Sequence, residues 1–532
     1  MGLETKGQEQ VNLLLKRARR NTLGDLLERT KERNPDKNAI AYKGEWITYS
    51  ELDNMVNQTA NAFVNAGMKK GDHIVIMSKN SQDFVTAMFA LARIGAVMIP
   101  VNYMLSRDDV SYILHHAEVM GLIASEEYAV LLDQAAQELT IQFRYLIDVP
   151  ASQEGLQPDW TTLSSARKDE LTVPVLADLD DDDLAHVLYT SGTESRPKGV
   201  MLTHKSIISE YVSSIIDGKM EEKDIAIHAL PLYHSAQLHV FLGPSIYIGS
   251  SGIILSQADP ESLLRTIEEE GATQLFCPPT VWIALLRHPE FDNYDLSTLE
   301  KCYYGAAIMP KEILKELAER LPNARFWNFY GQTEVAPLAT ALQPEDQLRK
   351  LGSAGKPTLN VQTKIVGENG VEVARGEIGE IVHRTSHAMK GYLHDPEKTA
   401  EAFQDGWFHS GDLGTMDEEG YITIIDRKKD MINTGGVNVS SREVEESLYQ
   451  MEGVSEVAVI SIPDPYWIEA VTAIIVPKKG ASLSEEEVMA FCRERLSTFK
   501  VPKQVEFTDV LPKNPSGKVL KRALRDQYGN IN

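Results

Sequence analysis

The chain has 532 residues, 43% of them hydrophobic and 24% charged, and a formal net charge of −24. These proportions are typical of a globular protein with large cores, and a prior of roughly 150 residues per domain predicts several domains. The negative charge argues against a general nucleic-acid binder, because phosphate backbones would be repelled. It also disfavours tight docking on anionic membranes.

The three cysteines, Cys277, Cys302 and Cys492, lie far apart and form no C-x-x-C pair. This spacing predicts a reducing compartment and argues against a disulfide framework or a cysteine zinc site. No apolar run approaches the roughly 18 residues of a membrane-spanning helix. The apolar run at residues 13–15 is also too short for the core of a signal peptide. We therefore expect a cytoplasmic protein without a transmembrane segment.

Strands and helices alternate in the first part of the chain. The pattern predicts an amphipathic helix over residues 12–34, a β-hairpin over 39–49 and a helix that begins at Ser50. The elements that follow are strand 73–77, helix 83–93, strand 96–101, helix 108–115 and strand 121–124. Such alternation predicts a parallel sheet with right-handed crossovers.

A loop rich in hydroxyl groups interrupts this alternation at residues 190–199. Its sequence, TSGTESRPKG, follows an apolar strand over 185–189, and residues 200–206 are expected to lead into a helix. Small hydroxyl-bearing residues after a strand can gather N–H and O–H donors around a phosphate. The spacing does not match the G-x-x-x-x-G-K-[ST] nucleotide loop. By itself the stretch is compatible with a phosphate loop or with an ordinary surface turn.

The alternation resumes after the loop and then changes character twice. Strands are predicted at 225–230, 253–255, 273–277, 302–304 and 325–329, and helices at 238–247, 260–270, 280–287 and 311–320. Residues 361–384 alternate apolar and polar side chains between glycine turns, which indicates antiparallel strands. Beyond the charge cluster 426–430, a small α/β unit is predicted, with helices 442–451 and 484–496 and strands 457–462 and 471–476.

Five short motifs occur along the chain in a definite order. They are YTSGT…PKG at 189–199, NFYGQTE at 328–334, FHSGD at 408–412, DRKKD at 426–430 and NPSGK at 514–518. The series resembles the ANL superfamily of adenylate-forming enzymes over about residues 20–527. Segments 231–234 and 516–522 are most similar to those of fatty-acyl-CoA synthetases.

The resemblance implies an α/β fold in two domains. Residues 1–428 would form a large N-terminal domain of two parallel-type αβ sheet subdomains plus a β-rich subdomain. Residues 429–532 would form a small mobile C-terminal α+β domain. The oligomeric state stays open, and a homodimer is one of the possibilities.

The implied chemistry has two halves. A carboxylate, expected to be that of a medium- or long-chain fatty acid, attacks the α-phosphate of ATP and gives acyl-AMP and pyrophosphate. The thiol of coenzyme A then displaces AMP. ATP, Mg²⁺ and coenzyme A are the implied cofactors, and the acid and coenzyme A the implied partners. Nucleotidyl transfer depends on positioning and charge neutralisation more than on covalent help from the protein.

The resemblance also implies roles for residues of the nucleotide site. The expected phosphate contacts are Thr190, Ser191, Gly192, Thr193 and Thr333, with Lys198 as a further contact or a loop anchor. The expected adenine contacts are the shelf Gly305, Ala306 and Ala307, the ring of Tyr330 beside Gly331, and the amide of Asn328. Asp412 and Arg427 would bind the ribose. Glu334 and Thr190 are the expected Mg²⁺ ligands, since this cation prefers oxygen donors.

The remaining implied roles concern the acid and the small domain. His234 would line or gate the acid site. Lys518 would be the catalytic lysine that bridges the carboxylate and the α-phosphate, so the catalytic set is Lys518, Thr190, Glu334 and His234. Lys429 matches the hinge between the domains. Gly435 and Gly436 would approach the pantetheine tunnel after the small domain rotates.

The phosphate loop departs from the family at Glu194 and Ser195, where the second Thr and the Gly of a Thr-Thr-Gly run are usual. Ser195 restricts the backbone where glycine is normally favoured, and Glu194 places a carboxylate beside the expected polyphosphate. Two alternatives stay open beside the acyl-CoA synthetase, and only the second is based on Glu194 and Ser195. One is a ligase that loads a carrier protein, and the other is a nucleotide-binding relative with weakened catalysis.

Overall fold

The computed structural model of the protein describes residues 11–12, 14–149, 159–190, 196–305, 309–434, 437–513 and 519–529. These residues form four sheets, three of them in the part of the chain up to Arg427 and the fourth beyond it. The predicted α/β class, with a large N-terminal and a small C-terminal domain, is confirmed. The boundary between residues 428 and 429 stays a prediction.

The first large sheet has eight strands and a parallel centre. Six of its strands, from Leu184–Thr190 to Thr161–Thr162 in spatial order, run parallel to one another. At the other edge, Lys198–Thr203 pairs antiparallel with Leu184–Thr190, and Gly391–Tyr392 pairs antiparallel with Lys198–Thr203. In spatial order the strands are Gly391–Tyr392, Lys198–Thr203, Leu184–Thr190, Val97–Pro100, His73–Met77, Gly121–Ser125, Phe143–Ile147 and Thr161–Thr162.

The second large sheet has nine strands and also combines a parallel centre with antiparallel edges. In spatial order the strands are Lys356–Pro357, Leu338–Leu342, Arg325–Gly331, Lys301–Gly305, Gln274–Phe276, Ile225–His228, Ser251–Ile254, Asn38–Tyr42 and Glu45–Thr48. The parallel sheet expected from the alternation is therefore confirmed for the centres of both sheets but not for their edges.

Two five-stranded sheets follow. The middle sheet is antiparallel and contains Val361–Val366, Gly379–Thr385, Trp407–Met416, Phe403–Gln404 and Ile422–Arg427. The C-terminal sheet contains Val437–Val439, Ile432–Thr434, Ile468–Pro477, Val454–Asp464 and Gln504–Phe507. The predicted strands 457–462 and 471–476 are the central parts of one long antiparallel hairpin.

Helices cover the faces of the large sheets and both faces of the C-terminal sheet. In chain order the α-helices are Leu23–Arg33, Tyr49–Asn65, Gln82–Ile94, Arg107–His116, Glu126–Ala135, Leu163–Arg167, His204–Asp217, Gly243–Ile248, Pro260–Glu270, Pro279–Leu286, Lys311–Arg320, Pro396–Ala402, Ser441–Tyr449, Glu485–Arg495 and Lys521–Tyr528. A π-helix spans Ala236–Leu242, and 3₁₀ turns span Phe291–Asn293, Thr333–Val335 and Pro344–Asp346.

The helix Gln82–Ile94 is enclosed by protein on all sides, since every residue after Gln82 is buried. A helix that is apolar all round belongs in a core rather than on a surface. Its one buried cation, Arg93, is bonded to Asp53 and Asn57 of the helix Tyr49–Asn65. This pairing offsets the cost of placing a charge in the core.

The structure corrects the prediction of one continuous helix over residues 12–34. Residues 20–22 are not helical, and a new helix begins at Leu23. Thr22 is its N-cap, because the Thr22 side chain accepts from the backbone of Asp25 while the Asp25 side chain accepts from the backbone of Thr22. This reciprocal capping box starts a helix independently of the residues before it.

One prediction next to the hydroxyl-rich loop was also wrong in detail. Residues 198–203 form a strand rather than the approach to a helix, and the helix begins at His204 after its N-cap Thr203. The helix predicted over 238–247 consists of the π-helix Ala236–Leu242 followed by the α-helix Gly243–Ile248. Such π-segments are frequent at functional sites.

Among the described residues, no helix is long and apolar enough to cross a membrane. This agrees with the absence of a long apolar run in the sequence.

Buried histidines predict a loss of stability on acidification. Burial lowers the pKa of His204 and His383 to about 4 and of His228 and His239 to about 3. In the unfolded chain these groups bind protons from about pH 6.5 downwards. The contribution of the histidines to the unfolding free energy is therefore complete above pH 6.5 and declines as the pH falls. We expect the thermal unfolding midpoint to be lower at about pH 5 than at about pH 7.5.

His204→Asn tests this cause directly. Nδ1 of His204 accepts from the backbone N–H of Leu23, and the Asn side-chain oxygen can accept in the same place without titrating. The variant should lose less of its midpoint on acidification than the wild type. Glu210, whose raised pKa acts in the opposite direction, is present in both proteins and cancels in the comparison. Equal pH dependence of the two proteins would refute the assignment.

Candidate functional site

The hydroxyl-rich stretch connects two paired strands of the eight-stranded sheet. The strands Leu184–Thr190 and Lys198–Thr203 are antiparallel, and Thr190 lies opposite Lys198 at the loop end of the hairpin. Both residues are partly exposed. Of the predicted phosphate contacts, Ser191, Gly192 and Thr193 lie outside the described residues, as do Glu194 and Ser195. We refer to Leu184–Thr203 as the hairpin.

A short strand adds a third partner to the hairpin. Gly391–Tyr392 pairs with Met201 and Val200, and this places the Tyr392 ring beside Lys198. The Nζ atom of Lys198 lies 4.8 Å from the centre of the ring, within the range of a cation–π contact. The Tyr392 hydroxyl donates to Oε1 of Glu334 at 3.0 Å. Burial, and then the Glu334 charge, raise the pKa of Tyr392, so it stays a donor.

Glu334 follows the strand Arg325–Gly331 of the nine-stranded sheet, in the 3₁₀ turn Thr333–Val335. Two glycines let other backbone segments pass close to this end of the sheet. A Cβ atom on Gly331 would lie 1.7 Å from the carbonyl oxygen of Pro337, and one on Gly305 would lie 2.5 Å from that of Phe329. No other residue fits at either position without displacing the backbone. Ala306 and Ala307, which follow Gly305, lie outside the described residues.

The most highly connected polar group of the site is the Asp412 carboxylate, which is 4% exposed. The Tyr330 hydroxyl donates to its Oδ2 at 2.7 Å, and the Gln332 side-chain amide donates to the same atom at 2.9 Å. The Nε atom of Arg427 lies 2.9 Å from Oδ1. Asp412 and Arg427 are opposite each other in the register of the middle sheet. The carboxylate therefore joins the nine-stranded and middle sheets.

Burial and this carboxylate together determine the charge states of its partners. Burial raises the pKa of Tyr330, and the adjacent Asp412 raises it further. Burial lowers the pKa of Arg427, but Asp412 together with Tyr330, Asp430 and Glu334 outweighs that effect, and the net shift is upward. Tyr330 is thus a neutral donor and Arg427 a permanent cation. Asn328, two residues before Tyr330, donates its Nδ2 to the carbonyl of Ser353 at 2.9 Å.

An apolar cavity adjoins these polar groups. It is narrow, and it is lined by Leu230, Pro231, His234, Ala236, Gln237, Phe276 and Pro278. Ser235, next to His234, lies 3.2 Å from Thr333 between their hydroxyl oxygens. The ring of Phe276 stacks on Phe241 at 4.4 Å. The predicted acid-site residue His234 thus lies between an apolar cavity and the turn that carries Glu334.

The segment before His234 is positioned from the other large sheet. Asn80 follows the strand His73–Met77, and its Oδ1 accepts from the backbone of Leu232 at 2.8 Å. Its Nδ2 donates to the carbonyl oxygens of Leu230 and Leu255 at 2.9 and 3.0 Å. Asn80 is buried and all these bonds are internal. One side chain therefore fixes one wall of the cavity.

The small domain is attached to the strand that carries Arg427. Oδ2 of Asp426 accepts from the backbone and the hydroxyl of Ser441 at 2.7 and 2.8 Å, at the N-terminus of the helix Ser441–Tyr449. The predicted hinge residue Lys429 lies in the turn at 428–430 between Ile422–Arg427 and Ile432–Thr434. Gly435, Gly436 and Lys518 lie outside the described residues.

The structure brings most of the described candidates into one region. Thr190 and Lys198 are linked through Tyr392 to Glu334, and Tyr330, Asp412 and Arg427 form the adjoining cluster. Sequence reasoning assigned no role to Gln332, although it lies within a quoted motif. It also missed Tyr392, Ser235 and Asn80. The tertiary structure reveals each of them through a contact with a distant segment: Tyr392 with Glu334, Ser235 with Thr333, and Asn80 with Leu230 and Leu232.

Comparison with known proteins agrees with this geometry. The sequence profile of the AMP-binding enzyme family matches residues 27–393, and that of the AMP-binding enzyme C-terminal domain matches residues 443–518. The chain belongs to the AMP-binding enzyme family. The predicted membership of the ANL superfamily is thereby confirmed.

Relatives of this AMP-binding enzyme align over nearly their whole length. A feruloyl-CoA synthase of Amycolatopsis is 36% identical over 96% of this chain and 100% of its own. A long-chain-fatty-acid–CoA ligase of Bacillus subtilis is 34% identical over 95% of this chain and 94% of its own. The crystal structure of ATP-bound MatB from Rhodopseudomonas palustris superposes with a TM-score of 0.87 at 32% identity, over 96% of this chain and 99% of that one.

Tyr392→Phe tests the link between the hairpin and Glu334 in this AMP-binding enzyme. The substitution removes the hydroxyl that donates to the carboxylate but keeps the ring beside Lys198. A hydrogen bond to a charged group contributes about 1.5–3 kcal/mol. We therefore expect kcat/KM for ATP to fall about 10- to 100-fold in a pyrophosphate-release assay.

Tyr42→Phe is the matched control, because the Tyr42 hydroxyl donates to Oδ2 of Asp148 at 2.8 Å, away from this cluster. That variant should retain the wild-type constants. An equal loss in both variants, or no loss in Tyr392→Phe, would contradict a role for the Tyr392–Glu334 bond.

Proposed function

We propose that this AMP-binding enzyme is an ATP- and Mg²⁺-dependent acid–CoA ligase, which joins an apolar carboxylic acid to coenzyme A through an acyl-adenylate. The observation that carries the proposal is the convergence of motifs that lie far apart in the sequence. Hairpin residues Thr190 and Lys198, the turn residue Glu334, and the Asp412 cluster meet along one edge of the sheets. Hydroxyls, a cation, carboxylates and an aromatic ring are the groups that a nucleotide requires.

The hairpin end is proposed to receive the phosphates. Thr190 supplies a hydroxyl and Lys198 a cation at the mouth of the loop, and Thr333 supplies a second hydroxyl from the opposite side. Such groups stabilise charge on phosphoryl oxygens without covalent participation. Glu194 and Ser195 lie in the same loop. They would give the loop an affinity for phosphate that differs from that of other AMP-binding enzymes.

Glu334 and Thr190 fit a magnesium ion that is shared with the nucleotide. Among the described residues no cluster of three potential metal ligands occurs, whereas Glu334 presents one oriented carboxylate. Mg²⁺ usually binds through one or two protein carboxylates together with substrate phosphates. Bound there, the ion would neutralise negative charge on the phosphates.

The Asp412 cluster is proposed to bind the nucleoside. A carboxylate with two oxygens can accept from both hydroxyls of a ribose, and Arg427 orients it from the adjacent strand. The Tyr330 ring would stack on adenine beside Gly331 and Gly305. Since Nδ2 of Asn328 already donates to Ser353, its Oδ1 is the atom that would accept from the adenine amine.

The cavity next to His234 is proposed to receive the organic part of the acid. Its lining is mostly apolar, which suits the organic part of an apolar acid. A medium- or long-chain fatty acid is the first candidate. An aromatic acid is the second candidate, because Phe276 offers a ring face and one of the relatives is a feruloyl-CoA synthase.

The small domain is proposed to supply Lys518 for the first half-reaction. A compact ammonium can approach the carboxylate and the α-phosphate together while negative charge develops. Rotation about Lys429 would then withdraw Lys518 and bring Gly435 and Gly436 to the pantetheine arm of coenzyme A. Hinges need only a few residues that absorb a backbone change.

An acid panel tests the proposed function. We expect ATP-dependent pyrophosphate release and acyl-CoA formation with at least one straight-chain or aromatic acid. Offering a phosphopantetheinylated carrier protein beside free coenzyme A distinguishes the acid–CoA ligase from the carrier-loading ligase. An acyl product on the carrier alone would favour the carrier-loading ligase. ATP binding without any turnover would indicate the relative with weakened catalysis.

Lys518→Ala tests the proposed catalytic lysine. Loss of the ammonium should reduce adenylate formation by at least about 100-fold, in line with the loss of one electrostatic contact to a transition state. Transfer from a supplied acyl-adenylate to coenzyme A should persist, because that half-reaction does not use Lys518. Lys479→Ala, in the same domain, is the control. Adenylation that survives in Lys518→Ala would refute the assigned role.

A further inference from the structure

The segment ahead of the first capped helix has an unusual distribution of side chains. Residues 11–12 and 14–19 are helical. At about 100° of rotation per residue, Val11, Leu14, Leu15 and Ala18 share one face of the helix. These side chains are exposed, with Val11 at 48%, Leu14 at 58% and Leu15 at 53%. We call this set the apolar face.

The opposite side of the segment is fastened to the protein by charges. The Nζ atom of Lys16 donates to Oδ1 of Asp178 at 3.0 Å. Arg20, just past the helical residues, is paired with Asp25 and donates to the carbonyl of Ala177 at 2.9 Å. A surface helix normally packs its apolar stripe on the core and turns its charges to water. Here the orientation is reversed, and two ion pairs maintain it.

Cations border the apolar face on both sides. Arg17 and Arg19 lie on either flank of the stripe and are exposed. Within the described part of the chain, neither guanidinium forms an ion pair. The segment that receives Lys16 adds a further exposed apolar side chain, Leu176, which is 74% exposed. The same segment continues into the acidic run 178–183, which lies on the Lys16 side of the helix. Positive charge is therefore confined to the flanks of the apolar face, in a chain whose net charge is −24.

We propose that the apolar face docks on the surface of an anionic lipid bilayer. Helices that lie in a membrane interface insert an apolar stripe among the acyl chains and place basic residues at the level of the headgroups. Arg17 and Arg19 occupy those flanking positions. Each basic residue near an anionic surface adds attraction that falls off within a Debye length. Because the rest of the protein is acidic, docking is reversible, salt-sensitive and restricted to this one orientation.

Vesicle sedimentation tests the proposal with the full-length protein. The probes are phosphatidylcholine vesicles with and without about 30% phosphatidylglycerol. The wild type should bind the anionic vesicles several-fold more than the neutral ones, and binding should fall when NaCl is raised from about 0.05 to about 0.5 M. The double variant Leu14→Gln, Leu15→Gln should bind at least about tenfold less, because it removes most of the insertable apolar surface. Arg17→Gln with Arg19→Gln should abolish the preference for anionic vesicles.

The control is Leu348→Gln with Leu359→Gln, which changes two leucines that are 60% and 59% exposed elsewhere. It should bind as the wild type does. All variants should keep the wild-type unfolding midpoint, since the altered side chains are exposed.

Three outcomes would overturn the proposal. The first is a wild type that sediments with neither kind of vesicle, and the second is a Leu14→Gln, Leu15→Gln protein that binds as the wild type does. The third is a wild-type dimer in sedimentation velocity without lipid that this variant converts to a monomer, which would assign the apolar face to a second copy of the chain. None of these results depends on the proposed acid–CoA ligase activity.

Discussion

The buried Asp412 carboxylate is the constraint on which the geometry of the site depends. A charge in that position is unfavourable unless it is paired and hydrogen-bonded. Its partners come from two elements, with Arg427 on the neighbouring strand of the middle sheet and Tyr330 and Gln332 at the end of a strand of the nine-stranded sheet. To satisfy this one group, the two sheets must keep a fixed relative position. The same bonds present a carboxylate, a cation and an aromatic ring to one space.

Two successive residues of one strand connect this site with the small domain. Side chains alternate along a strand, so Arg427 bonds to Asp412 while Asp426 accepts from Ser441. A carboxylate at a helix N-terminus is favoured by the helix dipole and by the unpaired N–H groups there. Lys521 of the small domain donates to the hydroxyl of the same Ser441 at 2.6 Å. The strand Ile422–Arg427 therefore couples the nucleotide cluster to the orientation of the domain that carries Lys518.

Hydrogen bonds between separate segments hold the apolar cavity beside His234 in place. Asn80 crosses from the eight-stranded sheet to the backbone of Leu230 and Leu232, and the hydroxyls of Ser235 and Thr333 join the π-helix region to the turn of Glu334. Apolar contacts alone would leave the register of these segments loosely specified. Directional hydrogen bonds between buried polar groups determine it, and the apolar cavity occupies the space between them.

The sequence by itself determined the class of fold, most of the strands and helices, and the motifs that carry the candidate site. These depend on local periodicity, capping and turn chemistry, which adjacent residues express. It did not predict the strand Lys198–Thr203, because that strand depends on its pairing partners. The break before Leu23 was missed because the apolar periodicity was followed through it, although the capping box of Thr22 and Asp25 is a local signal. Tyr392, Ser235 and Asn80 were also missed, since each acts on residues far away in the chain. The reversed orientation of residues 14–19 likewise became visible only in the tertiary structure, because periodicity predicts that a helix has an apolar face but not which way that face is turned.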